Sequence, residues 1–268
     1  MKLTRRQLLA GVGLGTVGVG GFGFGRSRPP YTHYTYAADG DPEDRRLRVA
    51  WYERYNGAIV ETQGDDATAT AAIDPDSDPA YVEEATLVTD VTGPVISIGN
   101  VMPRDVGALV VGIEVADDLG FSPESVDIWG KTTLISTENG VNGPELADGD
   151  TSPSDGELAD ELLVTLWADD SPVGACNGVV EFDERLAGLI ADDVSMREAF
   201  GADSDLGGPA GTLVAESVRP GERTCLSLLW AFDEAVATNR SQGDGVVFDL
   251  SVAGVPVGSP SPFSDGGA

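Results

Sequence analysis

The feature that most constrains this chain is a period-two alternation of apolar residues, repeated in short runs along most of its length. Leu47, Val49 and Trp51 alternate with Arg46, Arg48 and Tyr52. Successive side chains of a strand point to opposite faces, so this pattern is a half-buried β-strand. Val95, Ile96 and Ile98 begin another run. Leu109, Val111, Ile113 and Val115 alternate around Gly112 and Glu114, and Val126, Ile128 and Leu134 mark a further strand region. Leu162–Trp167 is apolar on both faces, which fits a strand inside a sandwich. Leu226, Leu228, Trp230 and Phe232, then Val246, Phe248, Leu250 and Val252, complete the set. The pattern predicts an all-β fold, an antiparallel jelly roll or β-sandwich. It carries one short helical insertion, where Phe182, Leu186, Leu189, Ile190 and Val194 follow a helical spacing that stops near Gly201. Residues 45–255 form this domain.

The flanks are different in kind. Thr4-Arg5-Arg6-Gln7-Leu8-Leu9 is a twin-arginine pattern followed by a weakly apolar, glycine-rich stretch to Gly25. A stable membrane-spanning helix needs about 20 strongly apolar residues, and each glycine costs helix stability. Residues 1–25 therefore read as a twin-arginine export signal, with Arg5 and Arg6 as its mark. This predicts a secreted or cell-surface protein that meets the membrane only through its leader. Residues 26–44 read as an extended N-terminal segment and residues 256–268 as a flexible tail.

Charge narrows the partners. The chain has 268 residues with 45 acidic against 16 basic, a net charge of −29. Without the leader, 13 basic residues face 45 acidic ones, a net charge of −32. Such a surface repels phosphate and excludes a nucleic-acid partner. Only one lysine, Lys131, lies beyond the leader, and the acids are dense and scattered. That is the composition of a protein that stays soluble in molar salt, where the Debye length falls to about 3 Å.

Motifs for chemistry are sparse. In an oxidising exterior Cys176 and Cys225 read as a disulfide closing a loop of about 50 residues, the alternative being two buried thiols. Asp74-Pro75-Asp76-Ser77-Asp78 begins like a calcium loop but has Pro79 where glycine is needed and Ala85 where glutamate is needed. The segment 136–156 reads as a solvated acidic loop, its Asp148, Asp150 and Asp155 joined by the adjoining Glu157. The sole histidine, His33, cannot build a His-rich metal site. No nucleophile elbow, P-loop or dinucleotide fingerprint is present, so no cofactor is expected. Asn239-Arg240-Ser241 is a glycosylation sequon. Trp51, Trp129, Trp167 and Trp230 are the aromatics that a carbohydrate-binding surface module would expose, although strand alternation favours their packing in the core.

Several segments, in order, resemble exported archaeal proteins of the TasA/camelysin group. They are Ile96-Ser97-Ile98-Gly99-Asn100 with the Pro103–Gly107 turn, Glu138-Asn139-Gly140, Gly156–Asp160, Val164–Asp170, Cys225–Trp230 and Gln242–Leu250. The resemblance implies a jelly-roll subunit of biofilm-matrix fibres or pili. Its partner would be another copy or a related surface subunit, joined by an N-terminal strand that completes the next sheet. Tyr31–Ala38, with Tyr31, His33, Tyr34 and Tyr36, is the segment that would serve as that strand. The group's Phe-Ser-Asp stretch after the signal is missing, and Arg104 stands where a glycine is common. The protease label attached to the camelysin name has no visible ligands to support it. An exported hydrolase built from carboxylates, with or without a metal, is the alternative class.

Overall fold

The computed structural model describes residues 33–37, 47–59, 95–99, 101–115, 125–152, 155–172 and 175–264. Eleven strands among them form two antiparallel sheets. The larger sheet contains β1 (His33–Ala37), β2 (Leu47–Tyr55), β3 (Ala58–Ile59), β5 (Val106–Val115), β7 (Leu162–Ala168), β8 (Leu189–Ser195) and β10 (Arg223–Phe232). Its order is β1-β2-β5-β10-β7-β8, with β3 paired to β2. The smaller sheet holds β4 (Val95–Gly99), β6 (Val126–Glu138), β9 (Thr212–Val218) and β11 (Gly245–Pro256), in the order β4-β11-β6-β9. This is an all-β sandwich, as the alternation requires.

The core lies where the two inner faces meet. Val49, Val111, Ile113, Val164, Leu226 and Leu228 come from the larger sheet, and Ile98, Ile128, Val246, Phe248 and Leu250 from the smaller. The strands at the centre of the larger sheet are buried on both faces. β7 lies between β10 and β8, and its outer-face Trp167 packs with Ala108 and Leu229 in a second, smaller cluster. That outer cluster is why Leu162–Trp167 shows no polar alternation.

The expected helical insertion is divided. Phe182–Ala187 is a helix, but Gly188 ends it and Leu189–Ser195 is the edge strand β8. The β-branched Ile190 and Val194 sit on that strand, against the core. Pairing with β7 satisfies backbone groups that would otherwise be lost along a buried strand, and this outweighs a helical spacing of apolar side chains. We label the helices α1 (Gly143–Ala147), α2 (Leu158–Glu161), α3 (Phe182–Ala187) and α4 (Met196–Phe200). None of the helices among the described residues is long and apolar enough to cross a membrane.

Two segments expected to be loose are tied down. The acidic stretch 136–156 begins inside β6 and contains α1, whose N-cap Asn142 forms a capping box with Glu145. Beyond β11, the amide of Gly258 donates to Asp127 at 2.7 Å and the Ser261 hydroxyl to the Ala210 carbonyl. Residues 258–264 are thus anchored to the smaller sheet rather than free.

Candidate functional site

Three places carry the residues from which a function could be built. The first is the outer margin of the larger sheet. β1 pairs with β2 alone, with His33 opposite Trp51, Thr35 opposite Val49 and Ala37 opposite Leu47. His33, Tyr34 and Tyr36 therefore stand on an edge strand, whereas Arg5, Arg6 and Tyr31 lie outside the described residues. β1 stops at Trp51, and the remainder of β2 turns at Asn56-Gly57 into the short β3. Both turn residues have positive φ, 47° and 82°, as a two-residue hairpin turn requires.

Beside that hairpin is a cleft of about 310 Å³ between the two sheets. Ile98, Val101, Leu109, Leu228, Trp230 and Phe248 line it. Gly107 brings the chain so close to Trp230 that an added Cβ would lie 2.3 Å from the indole. The Met102–Gly107 turn frames this end. Asp105 accepts hydrogen bonds from the Tyr55 hydroxyl, from Asn56 Nδ2 at 2.9 Å and from the Met102 amide at 2.7 Å. Burial raises the Asp105 carboxyl, but these three donors outweigh it and hold it below the usual range. The same hydrogen bond to Asp105 pushes the Tyr55 hydroxyl up to about 12. On the rim, Glu53 is raised by burial and makes no ion pair among the described residues.

The second place is a flap on the outer face of the larger sheet, residues 169–172 and 175–188, joined to β10 by the Cys176–Cys225 disulfide with a Cα separation of 5.4 Å. Asp169 is completely buried beneath it. Its carboxylate accepts from the Cys176 and Gly178 amides, both at 2.8 Å, and from the Ser227 hydroxyl at 2.7 Å. Glu184, 2% exposed, accepts from the Ser171 amide at 3.1 Å and the Glu181 amide at 2.8 Å. Burial is the main cause that pushes Asp169 up to about 6 and Glu184 up to about 7, with the neighbouring Glu181 adding to the latter.

Asp169, Glu181 and Glu184 can each bring one oxygen within 4.8 Å of the others, the only such three-acid group among the described residues. Three carboxylates suit a hard cation in kind, but calcium takes about six to eight oxygens. Here the carboxylates of Asp169 and Glu184 already template the flap by accepting its N–H groups. Neither this cleft nor a polar groove of about 590 Å³ beside β9 is lined by Asp169 or Glu184.

The third place is the acidic stretch. Asp150 is buried and accepts from Asn139 Nδ2 at 2.8 Å and the Ser152 amide at 2.9 Å. Asp155 instead faces Arg197 at 3.4 Å, and Asp148 offers its backbone carbonyl to Arg240 at 3.2 Å. Burial raises Glu157, with Asp150 adding to the effect. Asp148 and Asp155 make separate contacts, whereas Asp150 and Glu157 adjoin each other. Asp74, Asp76 and Asp78 fall outside the described residues.

The sequon has an exposed Asn239 on a 3₁₀ turn, Asn239–Ser241, but its Ser241 is buried. The Ser241 hydroxyl donates to Glu161 at 2.6 Å. Of the tryptophans, Trp167 and Trp230 are buried, and Trp51 packs against the core while partly exposed. Trp129 is partly exposed.

Sequence reading did not single out Asp169, Glu181 and Glu184 as a group, because 45 acids offer no spacing that marks these three. It also passed over Asn56-Gly57, whose hairpin signal is strong. No protein family matches the chain, and no curated protein matches it.

Proposed function

We propose that this chain is an exported structural subunit of the cell surface. It assembles with further copies, or with a related subunit, by exchange of its first strand. One observation carries the reading: β1 is joined to the sandwich only through β2, at the margin of the larger sheet. A terminal edge strand can make the same backbone hydrogen bonds to a neighbour as to its own chain. Exchange then costs little, and concentration decides between the two. The likeness to the TasA/camelysin group, the twin-arginine leader and the acidic surface support a place outside the cell in brine.

The test is to delete residues 26–40 and compare assembly in molar salt. The full chain is expected to polymerise and the truncated chain to remain folded and monomeric. A cross-link between Cys residues introduced as Tyr36→Cys and Arg48→Cys, positions paired in the register of β1 and β2, locks the strand in place. It should have the same effect as the deletion. Polymerisation of either variant at the level of the full chain would refute strand exchange.

A further inference from the structure

An apolar knob and an apolar cleft stand at opposite sides of the larger sheet. Resting on the self-assembly reading, we propose that α3 of one copy docks Phe182 and Leu186 into the Trp230 cleft of the next copy, with Arg185 meeting Glu53.

The knob is a consequence of how α3 is held. Residues three and four apart share one face of a helix, so Phe182, Arg185 and Leu186 stand together while Glu184 is turned inward. Phe182 is 78% exposed and Leu186 72%, although both are large and apolar. The inward hydrogen bonds of Glu184 and the disulfide fix the flap that carries them. The pair is therefore displayed by a rigid base. Arg185 makes no ion pair among the described residues.

The cleft offers the complement in size and charge. At about 310 Å³ it is at the bottom of the range for ligand pockets, too small for most cofactors and of a size for a few apolar side chains. Its floor is apolar and its rim carries Arg54 and Glu53, the latter a half-buried carboxylate that makes no ion pair among the described residues. A second copy brings the cation on the same helix face as the apolar pair. On a chain of net charge −29, an arginine beside exposed phenylalanine and leucine is a match to Glu53 on that rim. Being partly buried, the pair is screened less by salt than the surface acids are.

The positions also decide the kind of assembly. β2, on the cleft side, and β8, next to α3, are four strand spacings apart, on the order of 20 Å. Because knob and cleft are different surfaces, the contact is head-to-tail and does not close as a two-fold dimer; it propagates into an open filament unless its rotation closes a ring.

The experiment follows filament formation by the full chain in molar salt, using sedimentation and electron microscopy. Phe182→Ala with Leu186→Ala is expected to raise the concentration needed for assembly at least tenfold, with the melting temperature unchanged. Glu53→Arg and Arg185→Glu should each weaken assembly, and the two combined in one chain should restore it. If the wild-type chain polymerises and the knob variant polymerises equally well, docking is wrong and strand exchange stands. If the charge exchange fails to restore assembly, the Arg185–Glu53 match is wrong. A wild-type chain that stays monomeric at every concentration overturns both readings.

Discussion

His33 stands opposite Trp51 in antiparallel register at the outer margin of the seven-stranded sheet, so the first described strand of the chain is also the outermost. Along the order of that sheet β2, β5, β10 and β7 have partners on both sides, whereas β1 and β8, at its two ends, have one each. The proposed assembly uses the end formed by the first described strand, and the remaining architecture around β2 can be tested independently.

Arg104 occupies a backbone position that suits glycine. Its φ is 86°, where a Cβ is strained. Its ion pair with Glu234, at 2.7 Å, joins two exposed side chains and contributes little. Arg104→Gly is expected to raise the melting temperature by a few degrees. A lower value in thermal unfolding would mean that the ion pair outweighs the strain.

Gly107 lies under the indole of Trp230, with space for hydrogen only. Gly107→Ala must displace the ring or the β5 backbone, at a cost of about 1–3 kcal/mol. Denaturant unfolding should report that loss, together with a shifted tryptophan emission as the cleft floor moves. An unchanged midpoint would place the indole elsewhere.

Glu184 and Asp169 make stability depend on pH in a defined direction. Both carboxyls hold a proton more tightly when folded, up to about 7 and about 6, than in an unfolded chain at about 4. Their contribution is most favourable in acid, is lost as pH rises from about 4 to about 7, and is level above that. Glu181→Gln removes a neighbour that raises Glu184. Melting temperatures in molar salt, where general repulsion is screened, should then fall less steeply across this window. Superimposable profiles for the two proteins would count against the coupling.

Cys176 and Cys225 enclose a sequence separation of 49 residues and are buried. Replacing both by Ser is expected to cost about 2–4 kcal/mol and to loosen the flap that Asp169 and Glu184 organise. Hydrogen exchange at the Cys176 and Gly178 amides would register the loosening. Protection equal to that of the parent would show that the carboxylates alone hold the flap.

Much of the fold was legible because alternation is a direct record of which strand face is buried. Leu109–Val115 and Leu226–Phe232 both pointed to the core strands that the structure contains. The 182–201 stretch misled because Phe182 and Leu186 mimic a buried helical stripe, whereas they are exposed and Ile190 and Val194 belong to a strand. The acidic flap was hidden for a different reason. Asp169 and Ser227 are 58 residues apart and meet only because β7 and β10 pair, and no local spacing encodes such a meeting.

The central claim is assembly at the cell surface, and electron microscopy of surface material from cells with and without the protein tests it most directly. The account predicts thin filaments that are present with the full chain and absent both without it and with the chain lacking residues 26–40. Identical surface structures in all three, with purified protein monomeric in molar salt, would contradict it.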